Sequence, residues 1–211
     1  QVLAPVRKRY EEAARNLARK ALTLVRRNDA IPARLKKGDR VLVIHLRSNP
    51  EYHVDAMDDL LRSRGIVVTR RTEADSPYEH QGMQHGTYDM VLVLWTVGPT
   101  WGTNFIRPAG PWMRHPWFVR HSYPVCPVVH VSFGTPYLIH DVPWADHLVN
   151  AYSPDPLSQE AAADWLFGSI APAGTSPVDL DRHHKVRHLT ARVSSRCSLK
   201  QQTRLHRGLL T

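Results

Sequence analysis

Cysteine is scarce, with only Cys126 and Cys197 in 211 residues. They form no CxxC pair, so a disulfide framework and a cysteine-rich zinc site are both excluded. The compartment stays open, with a lean to a reducing, cytoplasmic one. Long apolar runs are missing too. None approaches the roughly 18 residues a membrane span needs, so no membrane partner is expected. Neither GxGxxG nor GxxxxGK[ST] occurs. Without such a loop the chain has no backbone cradle for nucleotide phosphates, and no cofactor is expected. There is no internal repeat. The opening Gln1-Val-Leu-Ala-Pro5 lacks the charged start and apolar stretch of a signal peptide. A start at Gln is what a processed product, or a piece of something longer, would show. Finally, no Asp or Glu lies between Asp89 and Asp141.

Positive charge, by contrast, is abundant, at a net +9. Such a value invites a nucleic-acid reading, but its distribution argues otherwise. From Asp181 to Thr211 there are eight Lys and Arg against one Asp. The tail is basic and the rest is nearly neutral, so nucleic acid is not the expected partner. A polyanion- or nucleic-acid-binding module, built on this tail and on the Trp- and Arg-rich segment from Gly98 to Cys126, is the alternative reading, and it predicts strongly salt-dependent binding.

The pattern predicts an α/β fold, a mostly parallel sheet flanked by helices. Arg7 to Arg26 has apolar residues at helical spacing (Tyr10, Ala13, Ala14, Leu17, Ala21, Leu24), which predicts a helix. Leu22-Thr-Leu-Val25 at its end also suits an extended piece. Arg40-Val-Leu-Val-Ile44 is a run suited to a strand buried on both faces. Asn49-Pro50 then reads as a helix start, with Val54, Met57, Leu60 and Leu61 as its stripe and Gly65 as its stop. Ile66–Thr69 closes a parallel βαβ unit. Further strands are expected at Asp89–Trp95, Pro127–Ser132 and His147–Tyr152. A short helix is expected within Ser76–Tyr88, and another from Asp155-Pro156 to Phe167, ended by Gly168. The organisation expected is a lead-in helix and linker at 1–36, a sandwich domain at 37–178 and a basic, disordered tail at 179–211.

Three places hold residues suited to chemistry. His130-Val-Ser132-Phe-Gly134 is half of a G-x-S-x-G nucleophile elbow, with His130 where the strained turn wants a small residue. A strand end followed by a turn is the reading preferred. His183-His184 and His188 would offer one i, i+4 pair in a helix, with no Cys, Asp or Glu at a finger-like spacing to join it, and no metal site is expected. The long segment from Gly98 to Cys126 is rich in Trp and Arg, following Trp95 at the end of the third predicted strand. Trp101, Arg107, Trp112 and Trp117 are its candidate contact residues, because indole faces stack on sugar rings and Arg supplies hydrogen bonds. The same residue types make ordinary protein interfaces, so packing beneath the loop or against another domain is the reading preferred, with sugar contact the alternative. With no carboxylate there, the segment offers neither partner of the acid–base pair that glycosidic cleavage needs.

Several passages, in order, resemble the C-terminal domain of glycoside hydrolase family 3. Ala21-Leu-Thr-Leu-Val-Arg-Arg-Asn28 resembles that family's entry segment, and Ile31-Pro32 stands near its usual Leu-Leu-Pro. Val128 to Tyr137 (with Ser-Phe-Gly-Thr-Pro-Tyr), Ala151-Tyr-Ser153, Ser158-Gln-Glu-Ala-Ala162, Leu166-Phe-Gly168 and Pro172-Ala-Gly174 resemble its closing series. The resemblance implies an α/β sandwich beside a (β/α)8 barrel that carries the catalytic Asp. It also implies a partner barrel in the same longer chain or in another, with carbohydrate as a possible ligand. The Ser-Phe-Gly-Thr-Pro-Tyr wording is similar to the β-N-acetylhexosaminidase branch, whose acid–base pair sits on the barrel. The expected function is therefore an auxiliary domain of such an enzyme, with no catalytic residue of its own and no hydrolysis by this chain alone.

Overall fold

The computed structural model describes residues 3–29, 33–48, 52–76, 87–98, 114–116, 119 and 126–180. Helix α1 (Leu3–Ala21) leads into strand β1 (Thr23–Arg26). Strand β2 (Arg40–Arg47), helix α2 (Asp55–Ser63) and strand β3 (Val67–Thr72) follow. Strands β4 (Met90–Thr96) and β5 (Val128–Ser132) come next. A 3-10 helix at Pro136–His140, strand β6 (His147–Asn150) and helix α3 (Pro156–Leu166) complete the order.

The six strands form one sheet in the order β1-β6-β5-β4-β2-β3. All pairs are parallel except β1 on β6, so β1 is an antiparallel edge strand. The parallel β2–β3 pairing is what a strand–helix–strand unit with short joins demands.

Period-two alternation divides the apolar residues between two faces. Val41, Val43, Leu92, Leu94, Val129 and Val131 share a core with Met57 and Leu61 of α2 and with Ala162 and Leu166 of α3. Leu42, Ile44, Val91, Val93 and Trp95 share the other with Leu138 and Ile139 of the 3-10 helix. With both faces covered, the central strands need no polar side, which explains their unbroken apolar runs.

Helix α3 follows its sequence cues closely. Asp155 accepts from the backbone N–H of Leu157 (2.9 Å) and Ser158 (3.0 Å), Pro156 opens the first turn, and Gly168 adopts φ 74° beyond the end. Helix α2 corrects the reading of Asn49-Pro50 as its start. It begins at Asp55, and its N-cap is Val54, which has no side-chain bond to offer. Gln159 of α3 supplies the cap instead, its Oε1 accepting from the Met57 N–H at 2.7 Å. Helix α1 forms where the spacing predicts one, but its apolar residues Tyr10 and Leu17 stand 74% and 69% exposed. The helix meets α3 through charge: Arg15 Nε reaches Glu160 at 3.1 Å and Arg19 Nη2 reaches Asp164 at 2.7 Å. Ser76 is the last described residue of the Ser76–Tyr88 segment before Thr87, so the short helix expected there falls mostly outside the described residues.

Candidate functional site

Strand β2 is where the chain reverses its direction of growth, with β3 on one side and β4 on the other. In open α/β sheets the crevice at such a switch point, at the carboxyl ends of the strands, is the usual ligand position. The residues here are polar. Ser48 Oγ accepts from Gly98 N (3.1 Å) and donates to Thr96 O (3.2 Å), which clamps the end of β2 to the end of β4. Gly98 allows this approach, since a Cβ there would lie 2.9 Å from the Tyr52 ring.

Beneath the clamp lies a cluster drawn from β2, β3, β4 and α2. His45, 1% exposed, faces Arg70 Nη2 through Nδ1 (3.4 Å) and Thr96 Oγ1 through Nε2 (3.2 Å). A guanidinium can only donate, so Nδ1 accepts and Nε2 carries the proton. Burial first, then the positive charges of Arg70 and Arg47, hold the imidazole at a pKa of about 3. Arg70 Nη1 also reaches Asp55 Oδ1, and Asp58 Oδ2 at 3.4 Å. The hydrogen bond from Arg70 holds the Asp55 carboxyl below its ordinary value, whereas burial pushes that of Asp58 up against the pull of Arg70 and Arg62. Arg47 is paired with Glu73 at 2.8 Å.

Two carboxyls pushed in opposite directions suggest an acid and a base. The geometry denies that use. Both converge on one guanidinium nitrogen, which occupies the place a scissile oxygen would need. Asp58 is moreover only 3% exposed, so a sugar cannot reach it. This is a charge-compensated tie between α2 and β3. Its residues went unnoticed in the sequence, although a His inside an apolar β run and the pair Arg70-Arg71 following Val67-Val-Thr69 were the available signals.

Ser132 is not a nucleophile. Its hydroxyl is wholly buried and donates to Thr135 O at 2.6 Å, while His130 Nδ1 accepts from Trp95 Nε1 at 3.1 Å. Neither group faces the other's reactive atom. Trp95 is likewise a core residue, 0% exposed. The candidate contact residues Trp101, Arg107, Trp112 and Trp117 lie outside the described residues, as do His183, His184 and His188. Among the described residues no group of three His, Cys, Asp and Glu is placed to hold a metal ion, and no helix is long and apolar enough to cross a membrane.

The remaining sequence motifs prove to be joints. Gly134 lets the turn after β5 lie on β4, where a Cβ would stand 2.1 Å from Val97 O. Thr135 Oγ1 then accepts from Tyr137 N (3.2 Å) to start the 3-10 helix. Tyr152, at φ 64°, sends its hydroxyl to Thr23 Oγ1 (2.8 Å) and so ties β6 to β1. Asp164 joins three helices by accepting from Arg19 and from Arg64 Nη2, each at 2.7 Å. Gly174 packs on Ala21, where a Cβ would meet the carbonyl at 2.3 Å.

Fold and site together define an α/β sandwich whose sequence motifs are spent on its own construction and whose described polar centre holds no open acid–base pair. No family model matches the chain. It is 30% identical over 190 residues, 81% of its length, to a β-N-acetylglucosaminidase/β-glucosidase of Cellulomonas fimi, of which it covers 32%. Among solved structures it matches the β-glucoside phosphorylase BglX with a TM-score of 0.63 and 23% identity, covering 82% of this chain and 32% of that one. A glycoside hydrolase family 3 β-N-acetylglucosaminidase from Paenibacillus sp. str. FPU-7 matches with a TM-score of 0.61 and 21% identity, over 80% and 32% of the two chains. These neighbours point to the glycoside hydrolase family 3 proteins, and the chain's extent, about a third of the relatives it matches, fits their C-terminal domain.

Proposed function

We propose that this chain serves as the auxiliary α/β domain of a family 3 enzyme of the β-N-acetylglucosaminidase kind, seated against a (β/α)8 catalytic barrel. The barrel lies in the same longer chain or in another one. In this reading 37–178 is the sandwich, 1–36 its lead-in and 179–211 a basic tail. The observation that carries it is the lack of any Asp or Glu from 90 to 140, a stretch that includes the ends of β4 and β5. Hydrolysis of a glycosidic bond needs two such groups, or a substitute, astride the bond. A second observation supports a docked partner. Val6, Tyr10 and Leu17 of α1 stand 43%, 74% and 69% exposed at helical spacing, an apolar stripe of the sort that marks a contact surface. Trp101, Arg107, Trp112 and Trp117 are proposed to extend that contact or to meet the sugar.

Complementation tests this. The Cellulomonas fimi relative, shorn of the third that matches this chain, is produced with and without the full 211-residue chain. Co-elution and restored hydrolysis of a chromogenic N-acetyl-β-glucosaminide are expected only for the pair, and Tyr10→Ser with Leu17→Ser should weaken co-elution. A pair that restores turnover equally well with both substitutions in place would remove α1 from the contact surface.

A further inference from the structure

At the other end of the sheet, away from the polar cluster, a cavity of about 430 Å³ is bounded by Arg27, Arg34, His147, Trp165, Ile170 and Pro172. The fold assembles it from three directions. Arg26 pairs with Leu148 across the antiparallel edge, so the chain leaving β1 carries Arg27 alongside His147, the first residue of β6. Leu35 N donates to Leu166 O at 2.9 Å, which pins Arg34 beside the end of α3. There the guanidinium lies against Gly168, where a Cβ would stand 2.1 Å from Nη2; only glycine leaves it this place. Trp165 packs one side on the core and stays half-buried, leaving indole surface toward the cavity.

The charge of this lining is one-sided, because none of its residues is an Asp or Glu. Arg27 has a counterion in Asp29, but both side chains are well exposed, at 65% and 80%, and an exposed pair holds its partners loosely. The carboxyl end of α3 adds only about half a negative charge. Among the described residues no salt bridge engages Arg34. Guanidinium forks suit carboxylate and phosphate oxygens, and indole suits a ring. The volume lies within the range of small-molecule sites.

We propose that this cavity binds a small organic anion, a ring compound bearing a carboxylate or phosphate group, with the anion on Arg27 and Arg34 and the ring against Trp165. The proposal does not depend on the barrel. Its test is a titration of the full chain with phenyl phosphate, followed by calorimetry and tryptophan fluorescence, with benzyl alcohol as the uncharged control. Saturable one-to-one binding is expected, absent with benzyl alcohol. Arg34→Gln should weaken it by about tenfold or more. Ala171→Glu adds a carboxylate at an exposed lining position without touching the core and should weaken it similarly, while Trp165→Phe should remove the fluorescence change. No saturation up to roughly 10 mM, or binding unchanged by both Arg34→Gln and Ala171→Glu, would overturn the assignment; the latter result would locate the anion on other basic residues of the chain.

Discussion

Single residues decide where this sandwich tolerates change. Gly134 is the tightest case, since the obstacle to a side chain is a backbone carbonyl, Val97 O, which cannot swing away. Gly134→Ala should cost about 2 kcal/mol or more, read as a lower urea midpoint with an unchanged m-value. The buried imidazoles make a second prediction. His45 and His130 are held at pKa values of about 3, by burial above all, with neighbouring positive charge and His147 respectively adding to it. In the unfolded chain each takes its proton near the ordinary imidazole value of 6.5. Between those limits the unfolded state binds more protons, so stability falls as pH falls. Denaturation midpoints should therefore drop steadily from pH 6.5 toward pH 4, and His45→Gln should lower the slope by up to one proton's worth. A midpoint flat across that window would show that these rings are charged, or solvated, in the fold.

At the scale of elements, α3 is the keystone because its side chains satisfy two other helices. Gln159 caps α2 at Met57 N and donates to Pro154 O at 2.7 Å. Gln159→Ala leaves the Met57 N–H with only its bond to Val54 O at 3.1 Å and removes the bond to Pro154 O, with an expected loss of about 1 kcal/mol. Hydrogen exchange at the Met57 amide should speed up more than exchange in β4. These ties were only half legible beforehand. The strands and α3 could be read from the sequence because buried parallel strands are runs of apolar residues, and because Asp155-Pro156 and Gly168 mark a helix's ends by local chemistry alone. The start of α2 could not, for its cap comes from a residue about a hundred positions away. The Asn49-Pro50 signal was local and did not prevail. Nor could the outward stripe of α1 be read, since periodicity reports that a face is apolar and not what covers it. The antiparallel seat of β1 was equally hidden, as four residues carry no direction. The cluster of His45, Arg70, Asp55 and Asp58 escaped notice because parallel pairing and helix packing, not sequence spacing, bring its members together.

For the whole molecule, the family wording and the chemistry separate. The residues that signal the relationship, from Ser132 to Gly134 and from Ser158 to Gly168, hold strands and helices together, and none of them presents an open acid–base pair. In the proposed reading, a chain that spans about a third of the relatives it matches keeps the wording and the fold and leaves cleavage to the barrel. The decisive measurement is turnover of p-nitrophenyl N-acetyl-β-D-glucosaminide by the purified 211-residue chain on its own. No release of nitrophenol above the buffer rate is predicted across pH 5 to 8. Release that is enzyme-dependent, and that disappears when one Asp or Glu of this chain is changed to its amide, would contradict the account.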